Sequence, residues 1–369
     1  MSKQGEDGAY RNKKVHYTCV IYIAKSMLEL VFAEANCQDI ELQKKAKSHY
    51  QSVRKAIDEL VKSLDNIDTE GEITLEDGMI SCSALQIGMY ALTLPLEERK
   101  PYIKAAEYMM KIHACLEQQL IPDCRMNGAS LRYWESQYDV MICTNMFNSP
   151  HGWTGWTIYA HYYLYLLTGK KKHLLSLMNA MGSCAQLMDE QGNLRWAFCC
   201  QPYVKALTLV PDKKHVIEDG YRYVNTNEKA YRGRYETREY TEQYIDMISG
   251  WYRMGEQKVT GGYEFCPLIF DNGFVEHVDN QGGCCDNDVH EIFKCMEEVV
   301  LKKAFVHENA DGSLLCYGCR VVKKDNKVTV QMADGVDSLV CRLGNTYKEV
   351  LEALQSQGVQ VIECVKCAI

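Results

Sequence analysis

The chain alternates between two kinds of predicted helix, and this alternation constrains the fold more than any other feature. Segments 80–94 and 153–167 carry apolar or small residues on nearly every side. A helix without a polar face has to be covered by protein all round. Segments 97–119 and 172–188 follow them and are amphipathic at helical spacing, as expected of a helix that covers its predecessor from outside. The sequence therefore predicts helical hairpins, each with an inner and an outer helix.

Two further pairs extend this pattern along the chain. Segments 16–36 and 41–64 form the first pair, and segments 237–253 and 288–305 form a looser last one. Repeated hairpins of this kind are typical of an α/α toroid. Four pairs are visible where a complete ring has six, so the pattern leaves open whether the ring is incomplete or closed. The predicted fold class is mainly α, an α/α toroid.

The pattern changes near residue 311, where short β-type runs separated by turn residues begin. These predicted strands and one helix are 313–322, 327–332, 338–343, helix 346–355 and 359–365. The sequence therefore predicts an α/α-toroid catalytic domain over 1–310 and a small β-rich C-terminal region over 311–369.

Composition excludes several classes of partner. The formal net charge is −8 and no long basic tract is present, whereas nucleic-acid binding needs clustered Lys and Arg. No apolar run reaches the length of about 18 residues that spans a bilayer, and residues 1–14 lack the apolar core of a signal peptide. The 18 cysteines are scattered through helical segments, where they pack as small apolar residues. We therefore expect a cytoplasmic protein with reduced thiols, no membrane partner and no nucleic-acid partner.

Two Cys-x-x-Cys pairs, Cys316/Cys319 and Cys364/Cys367, raise the question of a metal. Four thiolates can close a tetrahedral zinc site, but the two pairs are farther apart in sequence than ribbon-type zinc ligands. Reduced, half-buried cysteines are the preferred interpretation. The sequence predicts no metal and no cofactor.

The connection 122–156 is dense in aromatic, amide and charged residues. A loop of this length in a compact domain is usually functional or disordered, and its aromatic content argues against disorder. Aromatic faces stack on sugars while polar side chains bind the hydroxyls, which is the usual composition of a ligand site. The alternative for any single Trp is that it packs a helix end. The residues predicted to bind substrate here are Arg125, Asn127, Tyr133, Trp134, Glu135, Tyr138, Asn148, Trp153 and Trp156.

Acidic residues stand at the start of the second inner helix. Glu76 and Asp77 meet the positive end of the helix dipole, so that one can cap the helix while the other faces a cleft. Glycoside hydrolysis needs a proton donor and usually a second carboxylate, for which Asp139 is the candidate. His151, between a Pro and a Gly, is a candidate general base; capping or packing is its alternative role.

Two smaller patches complete the candidate site. Arg195 and Trp196 follow the third pair, and an Arg fork suits the carboxylate of a uronic acid. Asp288 and His290 begin the last predicted helix. Surface salt bridges and N-capping are the structural alternatives for these residues.

Six stretches resemble a known group of proteins. They read TLEDGMISCSALQIG, PDCRMNGASLRYWESQYDV, NSPHGWTGW, GNLRWAF, DNDVHEIFKCMEE and AFVHENADGSLL. Over residues 72–313 the chain resembles bacterial carbohydrate-active proteins of the six-hairpin (α/α)6 type, closest to exo-acting β-glucuronidases. The resemblance implies a glycoside hydrolase that releases a uronic acid, with catalysis at Glu76 or Asp77 and at Asp139.

Two alternatives stay open at this point. Other α/α-toroid enzymes are polysaccharide lyases, in which His or Tyr removes a proton from a uronate while Asn or Arg neutralises its carboxylate. Tyr138, Asn148, His151 and Arg125 are the residues that match these roles. The other alternative is a non-catalytic carbohydrate-binding or scaffold protein whose cleft is completed by a partner, such as a second copy in a homo-oligomer.

Overall fold

A computed structural model describes most of the helical layer and the C-terminal region. The described residues are 3–6, 10–11, 18–64, 77–117, 127–129, 154–185, 197–198, 209–211, 221–223, 265–269, 274–279, 294–324, 327–344 and 347–364. Within these ranges the chain is mainly helical, with a small sheet near its C-terminus. No helix in the described part of the chain combines the length and hydrophobicity needed to cross a bilayer.

Six long helices form three consecutive pairs. They are α1 Thr18–Asn36, α2 Ile40–Lys62, α3 Asp77–Leu92, α4 Lys100–His113, α5 Thr154–Thr168 and α6 Lys171–Cys184. A short 3-10 turn, Leu96–Glu98, precedes α4. The three corresponding pairs predicted from periodicity are confirmed, although α4 and α6 end earlier than the amphipathic pattern does. Local signals set some of the ends: Asp39 caps α2 by accepting from two backbone N–H groups, and Gly169 leaves α5 with a φ of +60°.

The inner and outer roles of the helices are also confirmed. Helix α5 is buried along its whole length apart from Tyr163, and every residue from Ile80 to Ala91 in α3 is buried. Even the polar side chains of Ser81, Ser83 and Gln86 have no exposed surface. By contrast, α4 and α6 bury one face and expose the other. Helices α3 and α5 are therefore inner helices.

Helices α3 and α5 pack side by side and run in the same direction. A Cβ atom on Gly88 would lie 3.0 Å from the Cβ of Tyr163, so the two helices approach closely there. Near their C-terminal ends, Ala91 and Leu167 share one apolar cluster. The helix starts, at Asp77 and Thr154, consequently lie at the same end of the layer. Helix α1 joins α3 through the backbone N–H of Lys25, which donates to Oε1 of Gln86 at 3.2 Å.

The C-terminal region contains a four-stranded sheet, a hairpin and one helix. Its elements are β8 Lys303–Glu308, β9 Leu314–Tyr317, β10 Cys319–Lys324, β11 Lys327–Met332, β12 Ser338–Arg342, α7 Lys348–Ser356 and β13 Gln360–Glu363. The strand order in the sheet is β13-β12-β8-β9, while β10 and β11 pair only with each other. Strand β12 runs parallel to both β8 and β13. The predicted small C-terminal sheet is confirmed.

Strand β8 corrects one prediction. The last helix was expected to continue through Phe305, but the described part of that segment is helical only from 294 to 301, ending in a π-helical turn at Glu297–Leu301. Residues 303–305 belong to β8 instead. Ala304, Phe305 and Val306 are fully buried in the middle of the sheet, and a short apolar run of this kind fits a buried helix or a buried strand equally well.

The two faces of the sheet have different neighbours. Phe305, Tyr317, Val340 and Ile362 point towards the helical layer and belong to its core. The alternate residues of the same strands form a second core, closed by Leu351 and Leu354 of α7. The sheet is therefore continuous with the helical layer through one face.

Seven short strands complete the described structure, and the sequence had predicted none of them. They are β1 Lys3–Gln4, β2 Tyr10–Arg11, β3 Ala197–Phe198, β4 Leu209–Pro211, β5 Tyr221–Tyr223, β6 Phe265–Ile269 and β7 Phe274–Asp279. Strands β3, β7 and β6 form one antiparallel sheet, and the others pair as β1-β2 and β4-β5. The predicted helix at 237–253 lies outside the described residues.

Candidate functional site at the shared end of helices α3 and α5

Most of the predicted site residues lie outside the described ranges. These are Glu76, Asp139, His151, Arg125, Tyr133, Trp134, Glu135, Tyr138, Asn148, Trp153, Arg195, Trp196, Asp288 and His290. Three predicted residues, Asp77, Asn127 and Trp156, lie within them. The roles of all of these residues stay predictions.

The three described residues have different settings. Asp77 is the first residue of α3. Asn127 is exposed in the turn 127–129, and this turn is held close to α6, because a Cβ on Gly128 would lie 2.3 Å from the backbone nitrogen of Ala180. Trp156 is only 6% exposed and belongs to the helical core. This burial favours the packing alternative for Trp156, whose part in binding stays a prediction.

The direction of the inner helices brings two predicted stretches to one end of the layer. Residues 76 and 77 lead into α3. The predicted connection 122–156 overlaps α5, which begins at Thr154, so the part ahead of that helix is called the connection 118–153 from here on. Since α3 and α5 are parallel neighbours, both stretches join the layer at the same end. Peptide dipoles of both helices also direct their positive ends there, where an anionic group is stabilised.

A charged cluster that was not predicted from the sequence lies near the start of α5. Lys25 is 7% exposed; its ammonium lies 4.8 Å from the centre of the Tyr159 ring and 2.7 Å from Oε1 of Glu29. The Tyr159 hydroxyl donates to Oε2 of Glu298 at 2.5 Å. Lys294 also reaches Glu29, at 3.4 Å. A single Lys inside the apolar run CVIYIAKSML is the sequence signal that could have revealed this cluster.

The carboxylate of Glu29 is the charge that balances this cluster. Burial alone would raise the pKa of Glu29, but the hydrogen bond and the charge of Lys25, together with Lys294, lower it below its usual value. Cys295 donates to the backbone carbonyl of Gly155 at 3.2 Å. The segment 294–301 is thus fixed against the first turn of α5, beside the end where the predicted site residues enter.

A second missed cluster lies between α4, α5 and α6. Both ring nitrogens of His113 have hydrogen-bond partners. Its Nδ1 lies 3.2 Å from Oε1 of Glu117, and its Nε2 lies 3.1 Å from the Thr157 hydroxyl. Nδ1 of His161 lies 3.2 Å from Nδ1 of His173. All three histidine side chains are buried, and their positions on the inner faces of otherwise apolar stripes were the available signal.

Glu107 anchors the far side of this second cluster. Its Oε1 lies 3.2 Å from Nε2 of His173 and 2.8 Å from Nζ of Lys170, while Lys172 lies 3.4 Å away. The hydrogen bond from His173 and the two lysines outweigh burial and lower the pKa of Glu107 to about 2. Burial lowers the pKa of His173 to about 4, although the hydrogen bond to Glu107 opposes that shift. The pair is therefore a neutral imidazole donating to a carboxylate at neutral pH.

The described residues contain no group of three His, Cys, Asp or Glu side chains arranged to hold a metal ion. Of the two Cys-x-x-Cys pairs, Cys316 of β9 and Cys319 of β10 both pack against the core that α7 closes. Cys364 lies instead within the helical core. Burial raises the pKa values of Cys319 and Cys364 to about 12, which keeps both as thiols. Cys316 and Cys319 therefore do not converge with Cys364 on one site.

Comparison with known proteins adds little to this geometry. No protein-family model matches the chain, and no curated protein matches it either. A solved structure titled as a polysaccharide lyase is similar over 53% of this chain and 34% of its own length, with 14% sequence identity and a TM-score of 0.37. The chain thus spans about a third of that structure. A likeness this low does not bear on the function of the chain.

Proposed function

We propose that this protein is a glycoside hydrolase that releases a uronic acid, in the manner of a β-glucuronidase, from an oligosaccharide or glycoconjugate. The observation that carries the proposal is the parallel packing of α3 and α5. This packing supports a common site, because the acidic residues Glu76 and Asp77 and the connection 118–153 join the helical layer at the same end. The residue types of those two stretches are those that hydrolysis of a uronoside requires.

Each group has a specific part in the proposed reaction. Glu76 or Asp77 protonates the leaving glycosidic oxygen, and the other of the two caps α3. Asp139 is the second carboxylate and activates water or attacks the sugar. Arg125 and Arg195 bind the uronate carboxylate through paired N–H donors. The positive helix ends add to the attraction of this end for an anionic substrate.

The aromatic residues of the connection supply the apolar part of the proposed site. Tyr133, Trp134 and Trp153 stack on the sugar faces, while Asn127 and Asn148 bind hydroxyl groups. The buried cluster around Lys25 and Tyr159 supports this arrangement by holding α1, α5 and the segment 294–301 together. A rigid frame of this kind is what a precise catalytic geometry needs.

Helical hairpins such as the three described are the repeating unit of an α/α toroid, and we propose that residues 1–310 form such a toroid with 311–369 as its appendage. Strand β8, Lys303–Glu308, is the exception, because it pairs within the sheet of the appendage. We place the protein in the cytoplasm with reduced thiols. A homo-oligomer in which a second copy completes the cleft belongs to the same proposal.

A direct assay tests the proposed activity. The purified full chain is incubated with an aryl β-glucuronide and with unsaturated uronyl oligosaccharides between about pH 4 and pH 9. Release of the aryl group or the sugar is expected. The matched control is the corresponding aryl β-glucoside, which differs only in carrying a hydroxymethyl group in place of the carboxylate and should be a much poorer substrate. Absence of release from every uronoside contradicts the hydrolase proposal.

The same samples distinguish the two other candidate functions. A lyase leaves an unsaturated uronate, which is detected as new ultraviolet absorbance, and it should survive Asp139→Asn but not His151→Ala. A non-catalytic binding protein retains affinity for a uronate-containing oligosaccharide without converting it. Measurement of the solution mass shows whether a second copy accompanies either behaviour.

A further inference from the structure

Two buried histidines stand in line between two carboxylates. His161 in α5 is 5% exposed and His173 in α6 is 2% exposed. Their Nδ1 atoms lie 3.2 Å apart. Beyond His173, Nε2 lies 3.2 Å from Oε1 of Glu107, and beyond His161, Nε2 lies 3.9 Å from Oε1 of Glu117. The line Glu117–His161–His173–Glu107 thus contains three contacts between neighbouring polar atoms. Each contact is called a gap here, because it needs one hydrogen to become a hydrogen bond.

The proton positions in this line follow from the Glu107 end. Glu107 is ionised, because Lys170 contacts both of its oxygens and Lys172 lies close by. An ionised carboxylate only accepts, so Nε2 of His173 carries a hydrogen. The Nδ1 of a neutral His173 is then an acceptor. That acceptor requires Nδ1–H on His161, which leaves Nε2 of a neutral His161 without a hydrogen.

The consequence is an unmet contact at the Glu117 end. Nε2 of His161 is buried and has no hydrogen-bond partner among the described residues. It directs a lone pair towards the Glu117 carboxylate, which is itself occupied by Nδ1–H of His113. The other nitrogen of His113 accepts from the Thr157 hydroxyl, so His113 has no hydrogen left to offer His161. Two neutral imidazoles supply two N–H groups, whereas three gaps need three.

We propose that His161 and His173 form a proton-binding switch that takes up a single proton at Nε2 of His161 on acidification. The proton comes from water, no bond breaks in the chain, and the pair then carries one positive charge between two carboxylates. The contact with Glu117 then gains the hydrogen that it lacked, and the carboxylate 3.9 Å away attracts the charged ring. Glu117 directly precedes the connection 118–153, so the added proton ties the base of that connection to the middle of α5.

The charged groups around the pair set the direction of the titration. Glu117 and Glu107 attract the proton, whereas Lys170 and Lys172, both beside Glu107, oppose it; His113 faces Glu117 as its hydrogen-bond partner. Burial is the strongest influence and lowers the pKa of His161 below its ordinary value of 6.5, although the negative charge of Glu117, 3.9 Å away, opposes that shift. The pair therefore takes up its proton below neutral pH.

Nitrogen NMR of the unmodified full chain with 15N-labelled histidine tests this inference directly. At about pH 8, we expect His161 to show hydrogen on Nδ1 only and His173 on Nε2 only. On acidification below about pH 6.5 both rings should change together in one step that corresponds to one proton. Independent titration of the two rings, or two hydrogens on His161 already at pH 8, overturns the inference.

Glu117→Gln is the diagnostic variant. The glutamine amide donates to Nε2 of neutral His161, which fills the gap without any proton and removes the attracting charge. The titration step is therefore expected to move down by about 1–3 pH units. Glu34→Gln is the matched control, because Glu34 is also a shielded carboxylate, with a side chain 7% exposed against 21% for Glu117, and it bonds to a single histidine, His49, at 2.7 Å. An unmoved step in Glu117→Gln, or an equal displacement in Glu34→Gln, contradicts the inference.

Discussion

The hydroxyl of Tyr165 lies 3.2 Å from Nδ1 of His307, which joins helix α5 to strand β8. Both side chains are buried. Nearby, the guanidinium of Arg342 donates to the backbone carbonyl of Gly169 at the end of α5. Phe305 fills the space beside Tyr165 and contributes to the same core. The sheet and the helical layer are thereby linked by polar bonds inside a shared apolar core.

Removal of the Tyr165 hydroxyl should destabilise this junction. Tyr165→Phe leaves Nδ1 of His307 without its partner inside the core, and an unsatisfied buried acceptor costs about 1–3 kcal/mol of unfolding free energy. Urea denaturation followed by circular dichroism measures the loss. Tyr317→Phe is the control, because its hydroxyl donates among the described residues to the sulfur of Met181 alone, at 4.0 Å. Equal losses in the two variants would show that the Tyr165–His307 bond contributes nothing.

The close approach of the inner helices predicts opposite effects for two glycine substitutions. Gly88→Ala places a Cβ 3.0 Å from the Cβ of Tyr163, so α3 and α5 must shift apart by a few tenths of an ångström, which costs about 1–3 kcal/mol. Gly182→Ala meets nothing within 4 Å on an exposed site of α6 and should stabilise by about 0.5–1 kcal/mol through helix propensity. Thermal unfolding compares the two. A Gly88→Ala protein as stable as Gly182→Ala excludes the close contact between α3 and α5.

A second glycine pair tests the docking of the turn 127–129 on α6. Gly128 and Gly312 have similar φ angles, +83° and +79°, so alanine at either position carries a similar backbone strain of about 1 kcal/mol. Only at Gly128 does the new Cβ also meet a backbone, 2.3 Å from the nitrogen of Ala180. Gly128→Ala should therefore lose about 1–3 kcal/mol more unfolding free energy than Gly312→Ala. Equal losses in urea would mean that the turn does not lie against α6.

The protein should become less stable as the pH is lowered, because His173 is buried. Its pKa is lowered to about 4 by burial, whereas the unfolded chain binds the proton near the ordinary value of 6.5. Between these values the unfolded state holds more protons, so the free energy of unfolding decreases as pH falls from 6.5 towards 4. The expected decrease between pH 7 and pH 5 is about 2 kcal/mol.

His173→Gln removes this titrating ring, and its unfolding free energy should depend less steeply on pH over the same range. Glu107 acts in a separate window, because its pKa is lowered to about 2 and its contribution disappears only as pH falls from 4.5 to 2. Urea midpoints at several pH values separate the two windows. A wild-type slope that persists in His173→Gln between pH 7 and pH 5 assigns the effect to other groups.

The helical layer was predictable because the signal is local. Periodicity alone located α1 to α6 to within a few residues at most ends, and the absence of a polar face identified α3 and α5 as inner helices. Strand β8 was not predictable in this way. Its apolar run continues the preceding helical pattern, and it becomes a strand through parallel pairing with β12, more than 30 residues later in the chain.

The polar clusters were missed for a related reason. The sequence shows that Lys25 and His161 stand on apolar stripes, but it does not show their partners, which come from other helices. Lys25 meets Tyr159 and His161 meets His173 only after the helices have packed. A single polar residue on an apolar stripe indicates that its side chain is buried. It does not identify the residue that the side chain contacts, because that partner lies on another helix.

The final prediction separates helix capping from catalysis at the start of α3. Asparagine caps a helix about as well as aspartate, whereas alanine loses about 1 kcal/mol of helix stability. If Asp77 supplies the proton, Asp77→Asn should retain the thermal stability of the wild type and lose uronoside hydrolysis by about 100-fold or more. If Asp77 is the cap instead, Glu76→Gln should lose activity to that extent, and Asp77→Ala should lose stability while it keeps activity.

The measurements are kcat on an aryl β-glucuronide and the thermal midpoint of each variant. Full activity in both Asp77→Asn and Glu76→Gln would remove this helix start from the chemistry, because no carboxylic acid at residues 76–77 would then be needed for proton transfer.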